Sequence, residues 1–322
     1  MFLNQKAFSK HKMTELSIVI PTYNEEGNIS ILYSEIKGIL DPLKKEYEII
    51  FIDDGSADNT FRILKSLHEK DRKIKIIRFR KNFGQTAALD AGFKSSKGNI
   101  VIVMDSDLQN DPKDIPNLLE KINEGYDVVS GWRFKRKDPL SKRLFSRIAN
   151  SLRKAITKEK IHDSGCSLKA YKKECLNGLS LYGEMHRFIP AILSWKGFKI
   201  GEVKVNHRKR KYGKTKYGIK RLVKGFLDLM VLKFWMQYSA RPIHLFGGMG
   251  ILSSITGLVI GIYLTIAKIF YGVPLSNRPL LLLSMLLLIL GVLLLVFGVL
   301  ADIMIKLYYK DNQVYSIKEK IE

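Results

Sequence analysis

Cysteine is nearly missing from this chain: 322 residues hold two, Cys166 and Cys175. Two thiols at that spacing build neither a disulfide framework nor a metal site, and they fit a reducing compartment. Acid is scarce as well. Asp and Glu number 31 against 54 Lys and Arg, which leaves a net charge of +23. Before Leu245 no uncharged apolar run is long enough to cross a bilayer, and Met1–Met13 lacks the apolar segment of a signal peptide. No internal repeat is visible. These absences exclude a disulfide-stapled secreted domain and leave the first two thirds of the chain to a water-soluble fold.

The positive charge is concentrated. Lys199–Arg241 holds thirteen Lys or Arg and only two acids, Glu202 and Asp228. That block leads into Leu245–Ala267, which carries no charge, and Leu280–Ala301 carries none either. Each run is long enough for a transmembrane helix, which needs about 20 apolar residues. A basic collar beside a span is drawn to anionic headgroups by on the order of 1 kcal/mol per basic residue. A buried helical hairpin is the alternative, and the length and Leu density of the runs oppose it. Nucleic acid is the competing partner for so basic a chain, but no nucleic-acid motif accompanies the charge. The segment between the runs holds two basic residues, Lys268 and Arg278, and the tail from Lys306 holds four. With the basic domain, this predicts both termini on the cytoplasmic side. An enzyme tethered in this way is expected to act on a substrate that lives in the lipid.

Short apolar runs punctuate the soluble part: Leu16–Ile20, Tyr47–Ile52, Ile74–Phe79, Asn99–Met104 and Tyr126–Ser130. Helical patterns lie between them, at roughly 28–40, 58–69, 84–96 and 114–123. Alternating strands and helices predict an α/β domain with a parallel sheet covered on both faces. Ligands of such sheets bind outside the carboxyl ends of the strands. Beyond Gly131 the pattern predicts a basic helix over 140–157, a loop and strand over 161–171, a helix over 184–195, a strand over 199–206 and an amphipathic interface helix over 219–238.

Polar motifs follow the strand ends. Asp105-Ser-Asp107-Leu-Gln109 comes directly after the fourth run. Two carboxylates at i and i+2 there can point at one ion, and such hard oxygen donors suit Mg²⁺ or Mn²⁺ on a diphosphate. Asp107 is the better placed ligand, Gln109 offers a carbonyl, and Asp105 can instead face a ribose. Taken alone, an Asp-x-Asp is often a solvated turn. Asp53-Asp54-Gly55-Ser56 ends the second run. A carboxylate at that place can accept from a base ring N–H, while Asp58 reads as a helix N-cap. Pro21-Thr-Tyr-Asn-Glu-Glu26 ends the first run, where Tyr23 can stack on a base and Glu25 can take a ribose hydroxyl.

In this order the three segments resemble the family 2 glycosyltransferases of GT-A fold, over about residues 15–217. The Asp-Ser-Asp-Leu-Gln run looks most like the branch that glycosylates polyprenyl phosphates, including the dolichol-phosphate mannose synthases. Two C-terminal spans behind a basic helix are similar to bacterial membrane members of that branch. The resemblance implies that Pro21, Tyr23, Glu25, Asp53 and Asp105 bind a nucleotide-diphosphate sugar. It implies that Asp105, Asp107 and Gln109 hold the metal. The predicted organisation is a catalytic domain at 14–217, an amphipathic juxtamembrane helix at 218–241 and a two-helix anchor at 243–322.

The acceptor side fits the same branch. Arg133 follows the fifth strand, and Lys142, Arg143, Ser146 and Arg147 share one helical face at i, i+4 spacing. Cations and a hydroxyl so placed suit a lipid phosphate. Where this chain has Lys142 the dolichol-type enzymes have Arg, so either Lys142 or Arg143 takes that role. A solvated basic face is the plain alternative. Asp163-Ser-Gly-Cys-Ser-Leu-Lys-Ala-Tyr171 resembles a segment of these membrane enzymes, with Asp163 as base or positioning group. A phosphate is already an anionic nucleophile, which favours positioning. Glu184-Met-His-Arg187 looks like the helix that follows, near sugar or acceptor. His207-Arg208 and Gly213-Lys-Thr-Lys-Tyr217 resemble the family's mobile lid, with Thr215 for the usual Ser. Arg208, Lys214 and Lys216 would then neutralise the departing diphosphate.

The activity so implied is inverting transfer of a UDP- or GDP-linked sugar to a polyprenyl phosphate at the cytoplasmic face of a bilayer. Homo-oligomerisation stays open. A processive polysaccharide synthase is disfavoured, because no Gln-x-x-Arg-Trp motif is present. A catalytically silent nucleotide-sugar sensor or scaffold is the other rival. The intact Asp105/Asp107 pair argues against it.

Overall fold

The computed structural model describes residues 14–134, 161–208 except 180 and 182, 242–309 except 273 and 277, and a few positions between 230 and 238. They form two compact units that divide between Leu229 and Met230.

The first unit is built on a seven-stranded sheet. Strands β1 (Leu16–Thr22), β2 (Tyr47–Asp53), β3 (Ile74–Arg78) and β4 (Ile100–Val103) alternate with helices α1 (Ile29–Leu40), α2 (Thr60–Lys70) and α3 (Gln85–Ser95). Helix α4 (Ile115–Asn123) leads to β5 (Val128–Arg133), and β6 (Lys169–Lys172) and β7 (Ile200–Val205) complete the sheet. The spatial order is β3-β2-β1-β4-β6-β5-β7. The first four strands pair in parallel, as the alternating pattern predicts.

Both faces are covered, which is why the strands read as unbroken apolar runs. Ile18, Ile20, Ile49 and Phe51 join one core with Leu32 and Ile36 of α1 and Leu118 and Ile122 of α4. Val19, Ile50 and Ile52 join a second core with Ala88, Leu89 and Phe93 of α3. Residues i and i+2 share a face of a strand, and the two cores follow that period.

One strand breaks the parallel expectation. β6 runs antiparallel to both β4 and β5, filling the place between them. A buried strand of four residues carries no signal for its direction. Leu168 and Ala170 face the first core and Tyr171 the second, so burial is satisfied in either sense. The helix expected over 184–195 is also split. A 3₁₀ turn at Met185–Arg187 precedes a helix at Ile189–Trp195, whose second residue is Pro190, a residue suited to a first helical turn.

The second unit contains two long helices, Ile243–Tyr271 and Pro279–Tyr309, both apolar enough to cross a membrane. They extend past the uncharged runs at each end. They pack closely through small residues. Ser253 Oγ donates to Leu287 O at 2.8 Å, and Ser284 Oγ donates to Gly257 O at 2.7 Å. A Cβ at Gly291 would lie 2.7 Å from the Gly250 carbonyl oxygen, so only glycine permits this approach. Such contacts hold helices together where no hydrophobic drive separates helix from lipid. Most of the amphipathic stretch at 218–241 falls outside the described residues.

Candidate active site

The carboxyl ends of β1 and β2 carry two loops that zip together. Asn24 N donates to Ser56 Oγ at 2.9 Å, and Ala57 N donates back to Asn24 Oδ1 at 2.9 Å. Glu25 N donates to Thr60 Oγ1 at 2.8 Å. Asn24 sits at φ 55°, a left-handed conformation that asparagine tolerates. Asp58 accepts from Thr60 N at 3.0 Å at the start of α2 and from Glu26 N at 3.3 Å across the loops. The Glu25 carboxylate accepts from Asn28 Nδ2. Pro21 and Tyr23 lie half-buried on this rim.

The paired carboxylates at the end of β2 split their roles. Asp54 is structural: it accepts from Phe83 N at 2.7 Å and Gly84 N at 2.9 Å, fixing the turn into α3. Asp53 is fully buried, and its Oδ1 accepts from Ser56 N at 3.0 Å. Its Oδ2 lies 3.3 Å from Arg78 Nε yet accepts no hydrogen bond among the described residues. A buried acceptor in that state suits a ligand N–H. Gly55 stands at φ 72°, and a Cβ there would meet the Lys81 carbonyl carbon at 2.5 Å. This accounts for glycine after the two acids.

Beyond β4 the chain turns sharply, with Leu108 at φ 61°. Ser106 Oγ donates to Pro21 O at 3.0 Å, tying this turn to the β1 loop. Asp105 accepts from Gln85 Nε2 at 2.8 Å, and Asp107 accepts from Gln109 N at 3.1 Å. Burial pushes the Asp105 carboxyl pKa up, and the neighbouring Asp107 charge pushes it further. Two carboxylates close enough to repel in this way match a hard divalent cation. Among the described residues no three His, Cys, Asp or Glu side chains gather around one point. Mg²⁺-type ions need only one or two carboxylates when substrate phosphates supply other ligands. The donor set of Asp105, Asp107 and Gln109 therefore fits such an ion on a diphosphate.

Arg133 and Asp163 form one unit at the end of β5. Arg133 Nε donates to Asp163 Oδ2 at 2.7 Å and Nη2 to Oδ1 at 3.0 Å. Glu202 of β7 supports the turn from behind, accepting from His162 N at 2.7 Å and Asp163 N at 3.1 Å. Trp132 stacks on His162 with ring centroids 4.6 Å apart.

Arg208, expected at the departing diphosphate, is held here by two carboxylates. Its Nη1 donates to Glu35 Oε2 and its Nη2 to Asp111 Oδ1, each at 2.6 Å. Its backbone N donates to Gln109 O at 2.9 Å, and Asn206 N donates to Asp114 Oδ2 at 2.7 Å. The end of β7 is thus stitched to the turn that carries the Asp105/Asp107 pair. Lys142, Arg143, Ser146, Lys214 and Lys216 lie outside the described residues. Sequence reasoning missed Glu35, Gln85, Asp111 and Glu202, whose types read as ordinary exposed polar positions. It also missed that Lys169, inside a quoted motif, is buried.

Comparisons with known proteins agree with this architecture. The sequence pattern described as glycosyl transferase family 2 matches residues 17–179. Dodecaprenyl-phosphate galacturonate synthase of Rhizobium johnstonii is 38% identical over 303 residues, spanning 92% of this chain and 90% of its own. Undecaprenyl-phosphate 4-deoxy-4-formamido-L-arabinose transferase of Shewanella sediminis is 36% identical over 258 residues, 80% of this chain and 76% of its own. Glucosyl-3-phosphoglycerate synthase of Mycobacterium tuberculosis, solved with Mn²⁺, uridine diphosphate and phosphoglyceric acid, superposes with a TM-score of 0.52. It covers 68% of this chain and 78% of its own at 18% identity, a likeness of fold.

Proposed function

Because the chain belongs to glycosyl transferase family 2, we propose that it transfers a sugar from a UDP- or GDP-linked donor to a polyprenyl phosphate. Both curated relatives bear names of that reaction type. The observation that carries the reading is where these groups stand. Asp53, the Asp105/Asp107 pair and the Arg133–Asp163 pair stand at the carboxyl ends of β2, β4 and β5, in a chain that ends in two apolar helices.

In this reading Asp53 accepts from the base, and Tyr23 and Glu25 line the nucleoside. Asp105, Asp107 and Gln109 hold a divalent ion, which when bound supplies positive charge against the donor diphosphate. Arg133, with Lys142, Arg143 and Ser146, receives the lipid phosphate. An acceptor phosphate oxygen forms the new bond to the anomeric carbon as the bond to the diphosphate breaks, so the centre inverts. The nucleoside diphosphate leaves with that electron pair. Arg208, Lys214 and Lys216 meet the charge that grows there. Asp163 positions, because an anionic phosphate needs no base. The catalytic domain and both termini face the cytoplasm, where nucleotide sugars are made. Labelling of a Ser276→Cys variant from outside intact cells reads that orientation.

The test is direct. Full-length protein in detergent, with polyprenyl phosphate and a panel of nucleotide sugars, is expected to give one lipid-linked sugar product. Donor binding without product from any donor and acceptor would favour a silent sensor instead.

A further inference from the structure

Lys169 is the least expected residue of the sheet. It opens β6, between Val103 of β4 and Ser130 of β5, and is 5% exposed. Its neighbours in sequence, Leu168 and Ala170, are fully buried and apolar. Burying an ammonium costs several kcal/mol unless it is paired and hydrogen-bonded (on the order of the penalty per buried ion). An apolar residue at this place would fill the same space without that cost.

The partners of the ammonium show what it is doing there. Nζ donates to Ser164 O at 3.2 Å and to Cys166 O. Those carbonyls belong to the turn that presents Asp163. The same turn is held from the other side by Glu202 on its amides and by Arg133 on the Asp163 carboxylate. Burial pulls the Lys169 pKa down; Cys166, Asp163 and Asp105 oppose that pull, and Arg133 adds to it.

We infer that Lys169 is a positioning residue of the transfer step: its buried amino group bonds two carbonyls of the 163–166 turn and so fixes the turn that presents Asp163. The inference rests on the transferase reading for its kinetic consequence but not for its structural one. Lys169→Gln shortens the side chain by one bond and reaches the two carbonyls less well, whereas Lys169→Arg keeps length and donors.

The experiment compares full-length wild type, Lys169→Gln and Lys169→Arg in detergent. It reads melting temperature, amide exchange over 163–168 without substrate, and kcat and KM for donor and polyprenyl phosphate. Lys169→Gln is expected to melt near wild type, exchange faster over 163–168 and lose about tenfold or more in kcat with donor KM within about threefold. Lys169→Arg is expected to keep kcat within about threefold of wild type. Wild-type kcat in Lys169→Gln, or unchanged exchange over 163–168, overturns the inference. If Lys169→Gln does not fold, Lys169→Arg carries the test, and a kcat loss beyond about tenfold at unchanged melting overturns it. If wild type itself transfers no sugar, the transferase reading fails, while the exchange data still decide whether Lys169 holds the turn.

Discussion

Arg133 and Asp163, thirty residues apart, are locked edge to edge, with Nε–Oδ2 at 2.7 Å and Nη2–Oδ1 at 3.0 Å. Sequence reasoning gave one to the acceptor phosphate and the other to the sugar. Their pairing makes them a single device: the cation that would meet the phosphate is aimed by the carboxylate that would stand beside the sugar.

Removing both members of this pair should cost less than the sum of removing each alone. The side chains are 17% and 4% exposed, so each single variant strands a largely buried charge. Arg133→Ala or Asp163→Ala should destabilise by about 3–5 kcal/mol. The double variant should lose less than the sum, with a coupling of about 1–3 kcal/mol. Denaturant melts of the four proteins measure this. Additive losses would mean that the two groups act separately.

The central strands and the site motifs were legible because they obey one rule each. Strands buried on both faces, such as Ile49 to Ile52, must be apolar throughout, and the polar groups of a doubly wound sheet must follow their carboxyl ends. Asp53 and Asp105 therefore announced themselves. The direction of β6 did not, since Leu168 and Ala170 bury equally well either way. The splitting of the carboxylates at 53 and 54 was hidden too. Asp54 serves backbone amides of Phe83 and Gly84, and no local pattern reports a partner thirty residues on. The burial of Lys169 was hidden as well, because lysine is almost always exposed.

Stability should depend on pH through Glu48, which is 3% exposed at the start of β2. Burial alone would raise its pKa. The ion pair with Lys75 and hydrogen bonds from Ser17 and the Lys97 amide outweigh burial and lower it. A carboxylate with a lowered folded pKa stabilises the fold above its unfolded value and loses that contribution as pH falls through the folded one. Glu48→Gln should cost about 1.5–3 kcal/mol near neutral pH, the range for hydrogen bonds to charged groups. The gap from wild type should narrow below about pH 4, near the unfolded Glu value. A gap independent of pH would show that packing, not charge, is lost.

Asp107 is buried and keeps its side chain against the Gln109 amide. Asp107→Asn preserves that shape and removes one ionic ligand. Turnover should fall on the order of 100-fold or more, since charge stabilisation at the diphosphate is lost. Melting should move little without ligand, while added Mn²⁺ and nucleoside diphosphate should no longer raise it. Full wild-type turnover in excess chelator would remove the metal from the mechanism.

Arg208 poses the sharpest choice. In this structure its guanidinium is shared between Glu35 and Asp111 at 2.6 Å each, so it is already neutralised. To meet a departing diphosphate it must leave at least one of them, and donor binding must then carry the cost of the broken pair. Arg208 is about one third exposed, so that pair contributes roughly 1 kcal/mol or less. Glu35→Gln removes the competing charge and lies on α1, away from the Asp105 turn in sequence. If Arg208 swings to the donor, this variant should lower donor KM by up to about fivefold, the equivalent of that energy. Slow hydrolysis of donor without acceptor should rise with it, because the guanidinium then reaches the diphosphate whether or not lipid phosphate is present. Arg208→Lys should raise donor KM, since a point charge cannot replace the planar fork. A strut behaves differently. If Arg208 stays on Glu35 and Asp111 throughout, Glu35→Gln should lower the melting temperature and leave donor KM unchanged or higher. Donor titrations and melts of the same preparation separate the two, because only the swinging arginine gains donor affinity as it loses its holder.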